Sequence, residues 1–190
     1  MGLSQGFSLL LQFIASVVLA RYLTVYEMGI YAIAAATVGL LSLIQAFGLQ
    51  SLIVREEVLD QQTLRTAFTI NLLIGIFLAV GVAGISIIGG RALGDEKVRQ
   101  VMLALAINPL IGIFDFLPGA QLERAGRFKA LALAASASGV SAAVVTIVAS
   151  IAGAHYMTAA YAGWASAATY AAFVNVIGRQ HIQFRLDLGR

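Results

Sequence analysis

Cysteine is absent from the 190 residues and only two histidines occur, well apart. That removes disulfide frameworks, thiolate zinc sites and cysteine nucleophiles, and leaves no metal-ligand cluster and no cofactor motif. Charge is almost as scarce. Asp, Glu, Lys and Arg make up 11% of the chain against about 25% in soluble domains, and 60% is hydrophobic. The net charge of +3 is spread through short segments between apolar runs and forms no basic block, so the sequence carries no nucleic-acid footprint.

What is present is a succession of apolar runs. A hydrocarbon crossing takes about 20 mostly apolar residues, so the chain has room for about six short-looped spans and no large soluble domain. The runs are continuous and do not alternate with period two, which predicts helices and excludes a barrel. Spans are expected over residues 3–20, 29–47, 68–89, 98–117, 130–152 and 156–177, followed by a basic tail or linker over 178–190. The fold class expected is therefore an all-α integral membrane bundle of six helices. The first run carries small residues at Val18 and Ala20, where signal cleavage wants them. No Lys or Arg precedes it, and a retained helix is expected.

Orientation follows from Lys and Arg counted loop by loop. With the N-terminus inside, Arg55, Arg65, Arg124, Arg127, Lys129, Arg179, Arg185 and Arg190 fall on the cytoplasmic side, and Arg21, Arg91, Lys97 and Arg99 on the other. Eight against four places both termini in the cytoplasm.

Three stretches between or entering the runs are more specific. Ala20 to Ala34, ARYLTVYEMGIYAIA, resembles the first loop of the oligosaccharide flippases, O-antigen type, of the multidrug/oligosaccharidyl-lipid/polysaccharide exporter superfamily. It keeps Ala20, Arg21, Leu23 and Gly29, and has Val25 where proline is usual and Met28 where phenylalanine is usual. Phe47 to Glu57, FGLQSLIVREE, with Leu64 to Gly75, LRTAFTINLLIG, resembles that family's second loop and the entry to its third helix. Pro118 to Phe128, PGAQLERAGRF, resembles the loop in which proline and a small residue lead to an arginine and then an aromatic.

The resemblance implies one half of a MATE-like transporter of about twelve helices, built as two similar bundles with the substrate path between them. It implies a bacterial inner-membrane protein of polysaccharide or lipopolysaccharide biosynthesis that flips a polyprenyl-diphosphate-linked oligosaccharide, with no bond made or broken. The partners implied are that lipid-linked oligosaccharide, membrane lipid, a C-terminal bundle or second copy, and polysaccharide polymerase machinery. On this reading the chain is a partial product. An ion-coupled small-molecule exporter of the same fold and a membrane subunit without transport of its own are the alternatives. An intramembrane enzyme would need a nucleophile and base or a metal cluster at depth, and no carboxylate pair lies within a run.

The candidate path residues are the polar groups inside the runs: Gln12, Gln45, Asn71, Asn108 and Asp115. A carboxylate in hydrocarbon costs about 2.5–3.5 kcal/mol on insertion scales unless it meets a cavity, a partner or the interface. Asp115, between Phe114 and Phe116, is read either as a cavity group or as a side chain at the end of the fourth helix near Leu117. Asn108–Pro109 marks a kink, either mobile or repaired by a neighbour. Gln12, Gln45 and Asn71 serve either a polar path or ordinary interhelical bonds, worth about 0.6 kcal/mol each. Arg21, Arg55 and Arg124 suit a diphosphate by their forked geometry and equally serve topology. Ala130 to Ala143 and Ala160 to Ala172, rich in Ala, Gly and Ser, predict a close antiparallel pair.

Overall fold

The computed structural model describes residues 2–46, 61–93 and 95–178. All of its regular structure is helical among the described residues. Helix α1 runs Gly2–Tyr22, α2 Val25–Ala46 and α3 Gln61–Leu93. A segmented stretch follows: α4 Glu96–Leu105, α5 Asn108–Ile111 and α6 Ile113–Arg124. Helix α7 runs Phe128–Ile151, a 3₁₀ turn covers His155–Met157, and α8 runs Thr158–Gly178.

Local sequence sets the helix ends. Thr24 and Glu27 form a reciprocal capping box at the start of α2: the Glu27 carboxylate accepts from the Thr24 amide at 3.0 Å, and Thr24 Oγ1 accepts from the Glu27 amide at 3.3 Å. Asp95 caps α4, accepting from the amides of Lys97 at 3.0 Å and Val98 at 3.4 Å. Helices α6 and α7 each end in a left-handed glycine, Gly126 at φ 65° and Gly153 at φ 77°. In both, the amide after the glycine reaches back to the last full turn at 2.9 Å, Arg127 to Leu122 O and Ala154 to Ala149 O.

Short connections force neighbouring helices to run in opposite directions. The α1–α2, α3–α4 and α7–α8 connections gather at one end of the bundle, where side chains tie them together: Tyr26 to Asp95, Tyr156 to Gln100 and His155 to Glu27. The α6–α7 connection lies at the other end. The most extensive helix pair is α7 with α8, the pair composed of small residues; Ser141 Oγ accepts from Thr169 Oγ1 across it at 2.9 Å.

The interior is made of small residues and the outside of large ones. Ala34, Val101, Leu105 and Ala160 meet where α2, α4 and α8 cross, and Leu122, Ala134 and Val174 where α6, α7 and α8 cross. Leu9, Phe13, Leu73, Phe77, Val80 and Val148 stand exposed on the perimeter. In water such a surface would drive aggregation; against acyl chains it is the expected face. Thr66–Ile87 and Phe128–Ile151 are long and apolar enough to cross a membrane, and Glu96–Arg124 makes a third span if its two parts, bent by 43° at Gly112, count together. Leu9–Tyr22 and Val25–Leu41 are shorter apolar helices. Length and hydropathy thus give two to three spans among the described residues where the sequence reading expects six. The protein is an all-α membrane protein.

Candidate functional site

The two prolines of the chain both fall in the α4–α6 stretch, and they shape what surrounds it. Proline has no amide hydrogen, so Pro109 and Pro118 leave the carbonyls four residues earlier without their helical donor. At the first break, α4 stops at Leu105, and the Trp164 indole of α8 donates to Ala104 O at 2.9 Å. At the second, Asn175 of α8 donates to Phe114 O at 2.8 Å, the carbonyl that Pro118 cannot serve. Helix α8 also comes close: a methyl group on Gly178 would stand 3.2 Å from Pro118 Cβ, and one on Gly163 would stand 2.9 Å from Asn108 Nδ2. The kink at Asn108–Pro109 is therefore braced from a neighbouring helix.

The bend opens a cavity of about 600 Å³ between α1, α2, the α5–α6 part of the broken stretch, α7 and α8. One stripe of each long helix faces it, at spacings of three and four residues: Gln12, Ser16 and Leu19 on α1, and Ser138, Ala142 and Thr146 on α7. Gly163, Ser166 and Tyr170 of α8 and Tyr31 and Ala35 of α2 complete the wall. Asn108, Gly112 and Asp115 come from the break itself. Among the described residues, helix α3 contributes none to the lining.

Of the five candidate path residues, the cavity gathers three: Gln12, Asn108 and Asp115. Helix α6 runs on through Pro118 to Arg124, so Asp115 sits in its first turn and not at its end. Asn71 is buried on α3, away from the cavity, with its Nδ2 unpartnered among the described residues. Gln45 belongs to α2, but its side chain lies outside the described residues, as does Arg55 with the whole FGLQSLIVREE segment. Arg21 is in the last turn of α1 and Arg124 in the last turn of α6, at opposite ends of the bundle, and neither lines the cavity. The basic tail after Gly178 lies outside the described residues too.

Several lining groups escape the sequence reading. Ser16, Ser138, Thr146 and Ser166 sit in stripes of Ala and Gly whose composition suits close packing as well as a lining. Their spacing of three or four residues is the only available signal, and it does not say which neighbour they meet.

A second polar cluster occupies the end where three connections meet. The His155 Nδ1 lies 3.3 Å from the carboxylate of Glu27, which is buried. His155 takes a left-handed backbone, φ 46°, unusual for a residue with a side chain. The Lys97 ammonium stands 5.6 Å from the Tyr26 ring centre and 5.4 Å from that of Tyr156, within cation–π range of both. The Tyr26 hydroxyl, above all, holds the Asp95 carboxyl below its usual range, helped by the Val98 and Lys97 amides against a weaker desolvation. A carboxyl depressed on folding stabilises above its unfolded value and loses that contribution as pH falls through the folded one. Thermal unfolding in detergent should therefore shift to lower temperature as pH drops below the ordinary aspartate range. In Asp95→Asn that acid-side shift should shrink, and an unchanged slope would remove Asp95 from the account.

Among the described residues no group of three or more His, Cys, Asp or Glu could hold a metal ion. No curated protein and no solved structure matches the chain. A family model does, over residues 18–190, nearly the whole length, and its description is polysaccharide biosynthesis protein. By that match, the chain belongs to a family of polysaccharide biosynthesis proteins, and it does so as an all-helical membrane bundle with a polar cavity inside.

Proposed function

We propose that this chain forms part of the route by which a polyprenyl-diphosphate-linked oligosaccharide crosses the bacterial inner membrane, the sugar passing through the bundle while the lipid tail stays in the bilayer. The observation that carries the reading is the cavity of about 600 Å³, walled by hydroxyl, amide and small side chains inside a bundle whose outer face is apolar. It falls within the roughly 300–1,000 Å³ usual for small-molecule sites, enough for part of a glycan at a time. A hydrophilic head group needs such a wall because hydrocarbon offers it no hydrogen bonds. No bond is made or broken, so no nucleophile is required.

By the arginine and lysine count, the end bearing Glu27, Asp95 and His155 faces away from the cytoplasm. The side chains joined there tie the three connections together, and on this reading loading takes place from the opposite end. The partners on this reading are the lipid-linked oligosaccharide, surrounding lipid, a second helical bundle or second copy that completes the path, and polymerase machinery that receives the product.

Asp115 in the cavity wall favours a second reading, an ion-coupled exporter of small molecules. The two are separated by expressing the full-length gene product in a flippase-deficient strain and following surface polysaccharide. Restoration supports the glycan route. Failure at normal membrane abundance, with export of small cationic dyes instead, supports the second reading. Failure of both points to a subunit without transport of its own.

A further inference from the structure

The polar wall of the cavity is one-sided in charge, with one carboxylate, and part of its hydrogen-bonding capacity is left as unpaired acceptors. Ser16 Oγ donates to Gln12 O at 3.0 Å and Ser138 Oγ donates to Ala135 O at 2.9 Å, each on its own helix. Those hydroxyls have used their one hydrogen and present lone pairs to the cavity. Asn108 Oδ1 is buried with no hydrogen-bond partner among the described residues. The amide nitrogen of the same side chain lies against α8 at Gly163. Asp115 adds a carboxylate with no cation within ion-pair distance, and no Lys or Arg lines the cavity, among the described residues.

A wall of this kind calls for donors from its ligand. Sugar hydroxyls and an ammonium supply them, whereas a carboxylate or phosphate brings only further acceptors and a charge of the same sign as Asp115. Gln12, Tyr31, Thr146, Ser166 and Tyr170 carry the donors that neutral hydroxyls need in return. We infer that the cavity selects sugars bearing an amino group, accepts neutral ones, and excludes acidic sugars and the diphosphate, with Asp115 as the specificity-determining residue. The inference rests on the glycan-route reading and adds to it which part of the substrate enters this cavity. The diphosphate then stays at the membrane surface, outside the cavity wall, where its charge meets water and basic loops.

The test uses the full-length gene product in nanodiscs and four free probes at equal ionic strength: glucosamine, glucose, glucuronate and inorganic pyrophosphate. Ligand-induced thermal shifts give their relative affinities. Glucosamine should bind roughly tenfold tighter than glucuronate, with glucose between, because the two charged sugars differ in the sign they bring to one carboxylate. Asp115→Asn, which keeps shape and removes charge, should collapse that ratio to near unity, and Asp115→Glu should retain it. Glucuronate or pyrophosphate binding as well as glucosamine overturns the inference while leaving a glycan route standing. So does a ratio that survives Asp115→Asn. If sodium chloride in place of choline chloride produces the Asp115-dependent shift and glucosamine adds nothing, the carboxylate serves a metal cation and the inference fails. If no sugar binds at all, the glycan route falls, and the inference with it.

Discussion

Tryptophan at Ala142 should reduce transport to background while leaving the protein in the membrane at its usual level. Ala142 lies on the α7 stripe between Ser138 and Thr146, and its methyl group faces the cavity and not a packed interface. A large side chain in a tight core costs typically 1–3 kcal/mol in strain, but here the indole has open space to enter, so folding should suffer little. The effect falls on the route, which an indole obstructs across its middle. The control is on the same helix: Val148 is 59% exposed on the lipid-facing side, and Val148→Trp places the same ring among acyl chains. Complementation in a flippase-deficient strain, normalised to membrane abundance, reads both. Loss in Ala142→Trp with retention in Val148→Trp assigns the route to this cavity. Full activity in both variants would show that substrate passes elsewhere, for example between this bundle and a second one.

The contrast between Ala142 and Val148 also shows how far the sequence could be read. Apolar runs broken by charge gave helices, because a backbone in hydrocarbon must satisfy itself within one segment. Polar residues inside those runs gave candidates, and Gln12, Asn108 and Asp115 do meet at one cavity. Asn71 carries the same signal and faces another interface, since the side of a helix that turns inward is decided by which helices pack on it. The serines of α7 and α8 fall in stretches whose composition predicts close packing, for a related reason. An Ala-Ser-Gly stripe suits a close contact and a cavity wall alike, and the stretch bent by 43° at Gly112 lies along the cavity where it serves as a wall. The end of the bundle that holds Asp95 and His155 is equally hidden: Tyr26 meets Asp95, and Tyr156 meets Gln100, across 69 and 56 residues of chain.

The bend itself was half legible. Pro109 and Pro118 declare in sequence that two helical donors are missing, but not that Asn175 of α8 replaces the one at Pro118 or that Trp164 braces Ala104 O beside the first break, because Trp164 and Asn175 lie 60 and 61 residues beyond the carbonyls they reach. This makes Asn175 the residue whose loss should destabilise the broken stretch most selectively. Its amide nitrogen, with two hydrogens, serves Phe114 O and Ala171 O, each at 2.8 Å. Ala171 O is within α8, but Phe114 O has no amide at position 118 to fall back on. In Asn175→Leu that carbonyl faces hydrocarbon side chains, and an unsatisfied polar group costs about 1–3 kcal/mol, toward the lower end where membrane helices find substitutes.

A double-mutant cycle separates this effect from a general loss of packing. Pro118→Ala restores an amide hydrogen that Phe114 O can accept within α6, so it should recover much of the stability that Asn175→Leu removes. Alone, Pro118→Ala should do less, since Asn175 already occupies the carbonyl. Thermal unfolding in detergent of the two single variants and the double variant measures the coupling. Cavity geometry gives a second readout, because α6 relaxed into a regular helix should turn Asp115 relative to α7. The double variant should then be stable and yet transport poorly, which would assign Pro118 to the shape of the route and Asn175 to its upkeep. Strict additivity of the two substitutions would instead show that Asn175 supports α8 alone, and the bend would need another cause.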